Sequence, residues 1–263
     1  MNERDRTLAA FGRLLDIMDR LRKECPWDRE QTMESLRPLT VEETYELSEA
    51  ILERSPLDIV KELGDILLHI VFYAKIGSEQ QSFNMEEVLQ KLSEKLIYRH
   101  PHVFGSREVK DSGEVVENWE TLKMTEKDGN RSVLSGVPKG LPALIKAYRM
   151  QDKVRAVGFD WEEREQVWDK VAEEWSEFKE AQKKRDATGM EEEFGDLLFS
   201  LVNAARLYGI NPETALELTN RKFIKRFNYL ERETIKKGHS LKEMSLAEMD
   251  AIWEAAKNMA DDE

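Results

Sequence analysis

"VKELGDILLHI", residues 60–70, decides the fold, because it sets two carboxylates, Glu62 and Asp65, at the head of a run that otherwise reads as core helix. Residues three and four apart share one side of an α-helix, so on a wheel of about 100° per residue Ile66 and His69 fall beside Glu62 and Asp65. The acidic pair therefore leads into the core rather than into solvent. The same E-x-G-D pattern returns in "EEEFGDLLFSL", residues 191–201, as Glu193 and Asp196, with Leu197 and Ser200 at the matching inward positions.

The repetition extends to a second block, "VEETYELSEAI" at 41–51 and "AEEWSEFKEAQ" at 172–182. Glu43, Glu46, Glu62 and Asp65 thus recur, at a constant offset of 131 residues, as Glu174, Glu177, Glu193 and Asp196. The chain of 263 residues is about twice that offset, and duplication of an α-helical unit is the simplest account. Weaker echoes flank the blocks. "CPWD" (25–28) and "GFDW" (158–161) each put a Trp and an Asp ahead of the first acidic helix, and Lys95 and Arg99 are echoed by Lys222 and Arg226.

Seven prolines and thirteen glycines punctuate a chain whose apolar residues recur mainly at three- and four-residue spacing, and strand-like alternation is scarce. The expectation is an all-α protein of two tandem helical-bundle repeats. Its helices are expected near 5–23, 40–53, 57–77, 84–99, 141–155, 163–185, 190–209, 212–236 and 246–260. Thr40 followed by Glu43 reads as a capping box that starts the first acidic helix. Between 105 and 140 glycines and polar residues loosen the pattern, leaving only a short helix around Glu117–Lys123. The expected organisation is a repeat over 1–104, a linker over 105–140 and a second repeat over 141–263.

With 40 Lys+Arg against 53 Asp+Glu, the net charge of −13 argues against a protein that grips nucleic-acid polymers or an anionic membrane. A local cation cluster for a nucleotide stays compatible with it. The single cysteine, Cys25, has no internal disulfide partner and fits a reducing compartment. Residues 1–24 are charged throughout and no run of 18 apolar residues occurs, so the expected location is cytoplasmic.

Glu43 and Glu46 point together on one helix, as do Glu62 and Asp65 on the next, and two antiparallel helices joined at Arg54–Leu57 bring the pairs face to face. Converging carboxylates repel one another, and a divalent cation is the natural counter-charge. All-oxygen ligands that leave room for water and phosphates suit Mg²⁺, or Mn²⁺ in its place; no Cys or His pair stands at zinc spacing. In a chain with 35% charged residues, one E-E-x-x-E block is ordinarily a solvated helix face. Two blocks in register favour a site.

His69 alone reads as a core histidine, and His100 and His102, flanking Pro101 in "RHPHVF", are weak evidence for a metal. Trp27, Trp161, Trp175 and Trp253 read as packing aromatics, although a Trp near an anionic site also stacks on a base. Lys222 and Arg226, one turn apart on one helix, form a pair suited to phosphate oxygens.

Taken together, E-E-x-x-E followed by E-x-G-D, with "CPWD", "RHPHVF", "GFDW" and "KFIKRF" (222–227), closely resembles the MazG family of nucleoside triphosphate pyrophosphohydrolases in its tandem two-domain form. The resemblance covers nearly the whole chain. It implies the all-α NTP pyrophosphohydrolase fold and Mg²⁺-dependent hydrolysis of NTPs and dNTPs to nucleoside monophosphate and diphosphate, with broad base tolerance, in a homodimer. It implies metal ligands at Glu174, Glu177, Glu193 and Asp196, with Glu43, Glu46, Glu62 and Asp65 as a second copy. Glu173, Glu174 and Glu193 would be catalytic, with Glu173 or Glu174 as the proton acceptor. Lys170, Glu173, Glu192, Lys222, Arg226 and Trp253 would meet the substrate. Activity is expected chiefly in the second repeat, in a role of clearing aberrant nucleotides or lowering a signalling nucleotide pool. Where the family pattern often has a Lys near the start of the second acidic helix, this chain has Gly189 and Met190.

Two alternatives stay open at the level of sequence. One is a pyrophosphohydrolase for another diphosphate ester; the other is a non-catalytic helical module whose acidic grooves bind a basic partner.

Overall fold

The computed structural model describes residues 1–125, 132–236, 238 and 240–260, and every regular element among the described residues is helical. The chain divides into two compact units, Met1–Glu108 and Val109–Glu263. The boundary falls inside the junction expected at 105–140.

The first unit comprises α1 (Glu3–Glu24), α2 (Pro26–Glu30), α3 (Met33–Leu52), α4 (Pro56–Glu79), α5 (Met85–Arg99) and α6 (Pro101–Phe104). α3 and α4 are its main pair, and α1 and α5 pack against α4. Met18 of α1, Leu36 of α3 and Val71, Phe72 and Ile76 of α4 form the buried core, with Met33 and Leu39 packed against it. Burying each such side chain is worth about 1.5–3 kcal/mol, so this face fixes the helices.

That burial also corrects the expected start of the first acidic helix. α3 begins at Met33, not at residue 40, and its capping box is Thr32 with Ser35. Pro38 lies inside the helix and removes one backbone donor, a cost offset by the core contacts of Met33, Leu36 and Leu39 on either side of it. Thr40 is consequently mid-helix: its hydroxyl donates to the Leu36 carbonyl at 3.1 Å and lies 2.7 Å from the Tyr73 hydroxyl. Glu43 has no capping role and is left to the acidic cluster.

The second unit comprises α7 (Ser112–Thr125), a 3₁₀ turn at Val133–Gly136, α8 (Ala143–Arg155), a 3₁₀ turn at Arg164–Gln166, α9 (Val167–Lys184), α10 (Ala187–Leu207), α11 (Pro212–Lys236), a 3₁₀ turn at Leu241–Glu243 and α12 (Leu246–Ala260). The short helix expected at Glu117–Lys123 is thus longer at both ends. α9 and α10 are the main pair, α8 packs on α10 and α11, and α12 packs on α11.

The duplicated helix pairs turn in the same way. Arg54 (φ 53°) and Arg185 (φ 56°), again 131 residues apart, each take the left-handed conformation that ends the first helix. The next residue caps the second helix: Ser55 accepts from the Asp58 amide and Asp186 from the Gly189 amide at 3.1 Å. A Cβ at Gly189 would meet the Asp186 carboxylate at 2.8 Å, so glycine there keeps the cap in place.

Candidate active site

The α9–α10 pair brings three carboxylates together. Glu174 is buried, Glu193 half-buried and Glu177 exposed, and each offers an oxygen within 4.8 Å of the others. Asp196, one turn beyond Glu193, lines a cavity with Glu174 and Lys170. Loss of solvent, then the like charges of Glu177, Glu174, Asp196 and Glu192, push the Glu193 pKa above the usual carboxylate value. Among the described residues, a lysine answers them. Lys170 Nζ sits 2.7 Å from Glu174 and 3.0 Å from Glu173, and its hydrogen bonds to Glu174 and then Glu173 raise its pKa.

The first unit gathers Glu43, Glu62 and Asp65 within the same 4.8 Å limit. Glu46 stands outside that triad, 3.8 Å from Lys61, whose Nζ is 2.8 Å from Glu62. Burial and then the charges of Asp65, Glu46, Glu62 and Glu42 raise the Glu43 pKa. Glu62 is 5% exposed and its Oε2 is buried without a hydrogen-bond partner. An all-oxygen donor set, mutually repelling and with a buried oxygen left over, fits a hard divalent cation. The neutralising lysine has changed helices between the copies: Lys61 is on α4, where the second unit has Glu192, and Lys170 is on α9, where the first has Leu39.

The second unit's cluster lies beside a cavity of about 680 Å³. Its walls include Met150 and Val154 of α8, Phe159 and Trp161 of the following segment and Phe199 of α10. "GFDW" is shaped for this place. Gly158 (φ 87°) turns the chain out of α8, and Asp160 forms a two-pronged ion pair with the buried Arg206 guanidinium of α10, Nη1 to Oδ2 at 3.0 Å. Where the second unit has cavity-lining Ser200 and Asn203, the first has buried His69 and Phe72. His69 is the core histidine expected; burial lowers its pKa and leaves Nδ1 unpartnered.

Of the other residues singled out in the sequence, Lys222 is exposed on α11 and Arg226 half-buried with an unpartnered Nε. Trp253 of α12 packs on Phe223 with ring centroids 5.2 Å apart. None of these three lines the cavity. Glu192 is exposed at the head of α10. His100 Nδ1 lies 2.6 Å from the Leu96 carbonyl at the end of α5, a helix-end contact. Sequence reasoning passed over Gln151, Phe199, Asn203 and Arg206, all of which line the cavity. Their only signal was a place on inward faces of α8 and α10, which reads as ordinary core.

The MazG nucleotide pyrophosphohydrolase domain matches this chain twice, over residues 31–104 and 162–230. The chain belongs to the MazG family. Each match covers one acidic helix pair and the helix after it; α1 and α8, packed on those pairs, lie outside the matches. The chain is 45% identical over 250 residues to the nucleoside triphosphate pyrophosphohydrolase/pyrophosphatase MazG of Thermotoga maritima, covering 94% of this chain and 95% of that one. It is 41% identical to the nucleoside triphosphate pyrophosphohydrolase of Escherichia coli K12, covering 94% and 97%. An uncharacterised protein of Bacillus subtilis is 46% identical over 89% of this chain, which spans 48% of that protein. No described helix is long and apolar enough to cross a membrane.

Proposed function

We propose that this MazG-family chain hydrolyses nucleoside triphosphates between the α and β phosphates, yielding nucleoside monophosphate and diphosphate, with Mg²⁺ or Mn²⁺ and with any common base. The observation that carries the reading is the meeting of cavity and acidic cluster: Glu174 belongs to the cluster and lines the cavity, which Asp196, one turn beyond Glu193, lines as well. The names of the relatives at 41% and 45% identity support the same reaction. The second unit is the main catalytic one, because the described residues open a cavity beside its carboxylates, whereas the first unit fills the matching positions with His69 and Phe72.

In this reading Glu174, Glu177, Glu193 and Asp196 hold the divalent cation. When bound, it supplies neutralisation of phosphoryl oxygens that side chains alone cannot provide. Glu173 lies outside the cluster of three carboxylates and is the acceptor for the proton of the attacking water. Lys170 is ion-paired with both Glu173 and Glu174 and positions them. Lys222 and Arg226 are the cations proposed for outer phosphates, and Glu192 and Trp253 complete the substrate contacts. The apolar walls at Phe159, Trp161 and Phe199 take up the base and keep water from it.

The chain acts as a homodimer in the cytoplasm. Leu63 and Leu67 of α4 and Phe194 and Leu198 of α10 are 37–52% exposed at helical spacing, and Gly64 and Gly195 stand among them. A Cβ at either glycine would meet nothing within 4 Å, although mid-helix glycine costs roughly 0.5–1 kcal/mol relative to alanine. Close approach of a helix from a second copy accounts for that cost.

The test is a product analysis with Mg²⁺ across the four NTPs and four dNTPs. Monophosphate and diphosphate in equal amounts, lost on chelation, are expected; nucleoside diphosphate and phosphate, or no reaction at all, would overturn the reading. The latter outcome would fit a non-catalytic module.

A further inference from the structure

Asn203 of α10 brings to the cavity a nitrogen that the reaction scheme leaves unused. The residue is half-buried and lines the cavity. Its Oδ1 accepts from Arg206 Nε at 3.0 Å and from Nη2 at 2.9 Å, which fixes the amide, since a flipped one would turn its own N–H groups against those of the guanidinium. Arg206 is fixed in turn: its side chain is 6% exposed and its two Nη groups grip the Asp160 carboxylate. Nδ2 is therefore the atom turned away from this network. It makes no hydrogen bond among the described residues, yet it keeps accessible surface, in contrast to the Gln151 Oε1, which is closed off.

Asp196, Phe199, Asn203 and Arg206 follow one another at three- and four-residue spacing on one face of α10, and all four line the cavity. From Asp196 to Asn203 is two helical turns, about 10 Å along the axis. A nucleotide whose α phosphate lies at the carboxylates reaches that far with its base, across Phe199. Trp161 also brings an N–H to the cavity, but no hydrogen bond among the described residues holds its ring, and it is 39% exposed. The first unit lacks this device. At the offset of 131 residues, Phe72, 2% exposed in the core, stands for Asn203, and Lys75 stands for Arg206.

We propose that Asn203 Nδ2, held in place by Arg206, donates a hydrogen bond to a ring nitrogen or carbonyl oxygen of the nucleobase. The inference rests on the hydrolase reading above and deepens it. Adenine brings ring nitrogens, guanine a carbonyl and a ring nitrogen, and the pyrimidines carbonyl oxygens, so every common base meets the requirement. A donor of this kind accepts all of them while selecting against an apolar ring of the same shape, which would cover Nδ2 and leave it unpaired.

The test compares dTTP with the 5′-triphosphate of 2,4-difluorotoluene deoxyriboside, whose base has the shape of thymine with fluorines in place of the carbonyls, as substrates with Mg²⁺. The native chain is expected to favour dTTP by about five- to fifty-fold in kcat/KM. In Asn203→Asp, whose carboxylate keeps the Arg206 contact and puts an oxygen where Nδ2 stood, the ratio should fall toward one through a loss on dTTP. If that variant does not fold, Asn203→Ala, in which water from the cavity can reach Arg206, should give the same result. Equal efficiency on both substrates in the native chain, or an unchanged ratio in a variant with native thermal unfolding, would overturn the inference while leaving the hydrolase reading intact. Hydrolysis of neither triphosphate would overturn both.

Discussion

Lys170 Nζ lies 2.7 Å from Glu174 Oε1, one helical turn away, and the carboxylate it touches is 5% exposed. This ion pair is the only counter-charge described at the second acidic cluster, since Glu177, Glu193 and Asp196 add negative charge around it. Lys61 does the same for Glu62 in the first unit, from within the second helix of the pair, α4, whereas Lys170 stands on the first, α9. The duplication has kept the carboxylates in register and let the cation move.

Replacing Lys170 by Met should therefore destabilise the metal-free chain. Lys170 is 39% exposed, so solvent screens part of the interaction and a loss of about 1 kcal/mol is expected rather than the several of a fully buried pair. Urea unfolding with chelator, then with Mg²⁺, measures it: the variant should recover more stability from Mg²⁺ than the native chain. Identical denaturation midpoints without metal would contradict the pairing.

The raised pKa of Glu193 has a sign that can be checked. Its folded-state pKa lies above the ordinary carboxylate value of 4.5, so between the two the folded chain binds more protons than the unfolded one, and its contribution to stability grows as pH falls. Above the raised pKa the ionised carboxylate is a liability in the absence of metal. Glu193→Gln should accordingly be more stable than the native apo chain near pH 7, with the difference shrinking as pH falls toward 4.5. Thermal unfolding of both proteins across that range would show it; an advantage that grows on acidification would contradict it.

For the exposed stripe, Leu198→Glu places a charge among Phe194, Leu198 and Leu201, which are 40–47% exposed and separated by three and four residues. Sedimentation velocity should find a smaller species for this variant than for the native chain, with helical content retained. A native chain that sediments as a monomer would remove the homodimer from the account.

The fold and the site were unequally legible in the sequence. Glu43, Glu62 and Asp65, like Glu174, Glu177 and Glu193, could be placed together because helical spacing and a fixed offset are local properties. Thr40 misled because its capping pattern is equally local, whereas the true start at Met33 depends on core contacts that override Pro38. Gln151 and Arg206 were invisible for a third reason. Their roles arise from contacts 48 and 46 residues away in sequence, with Phe199 and Asp160, and no periodicity records which inward-facing polar residue is left with an open valence.

The central claim, hydrolysis by the second unit's cluster, is tested most directly by measuring diphosphate release from ATP with Mg²⁺ in the native chain, Glu193→Ala and Glu62→Ala, each checked for native thermal unfolding. The account predicts that Glu193→Ala lowers kcat by about a thousand-fold or more while Glu62→Ala keeps substantial activity. Equal loss in the two variants, or full activity in Glu193→Ala, would contradict it.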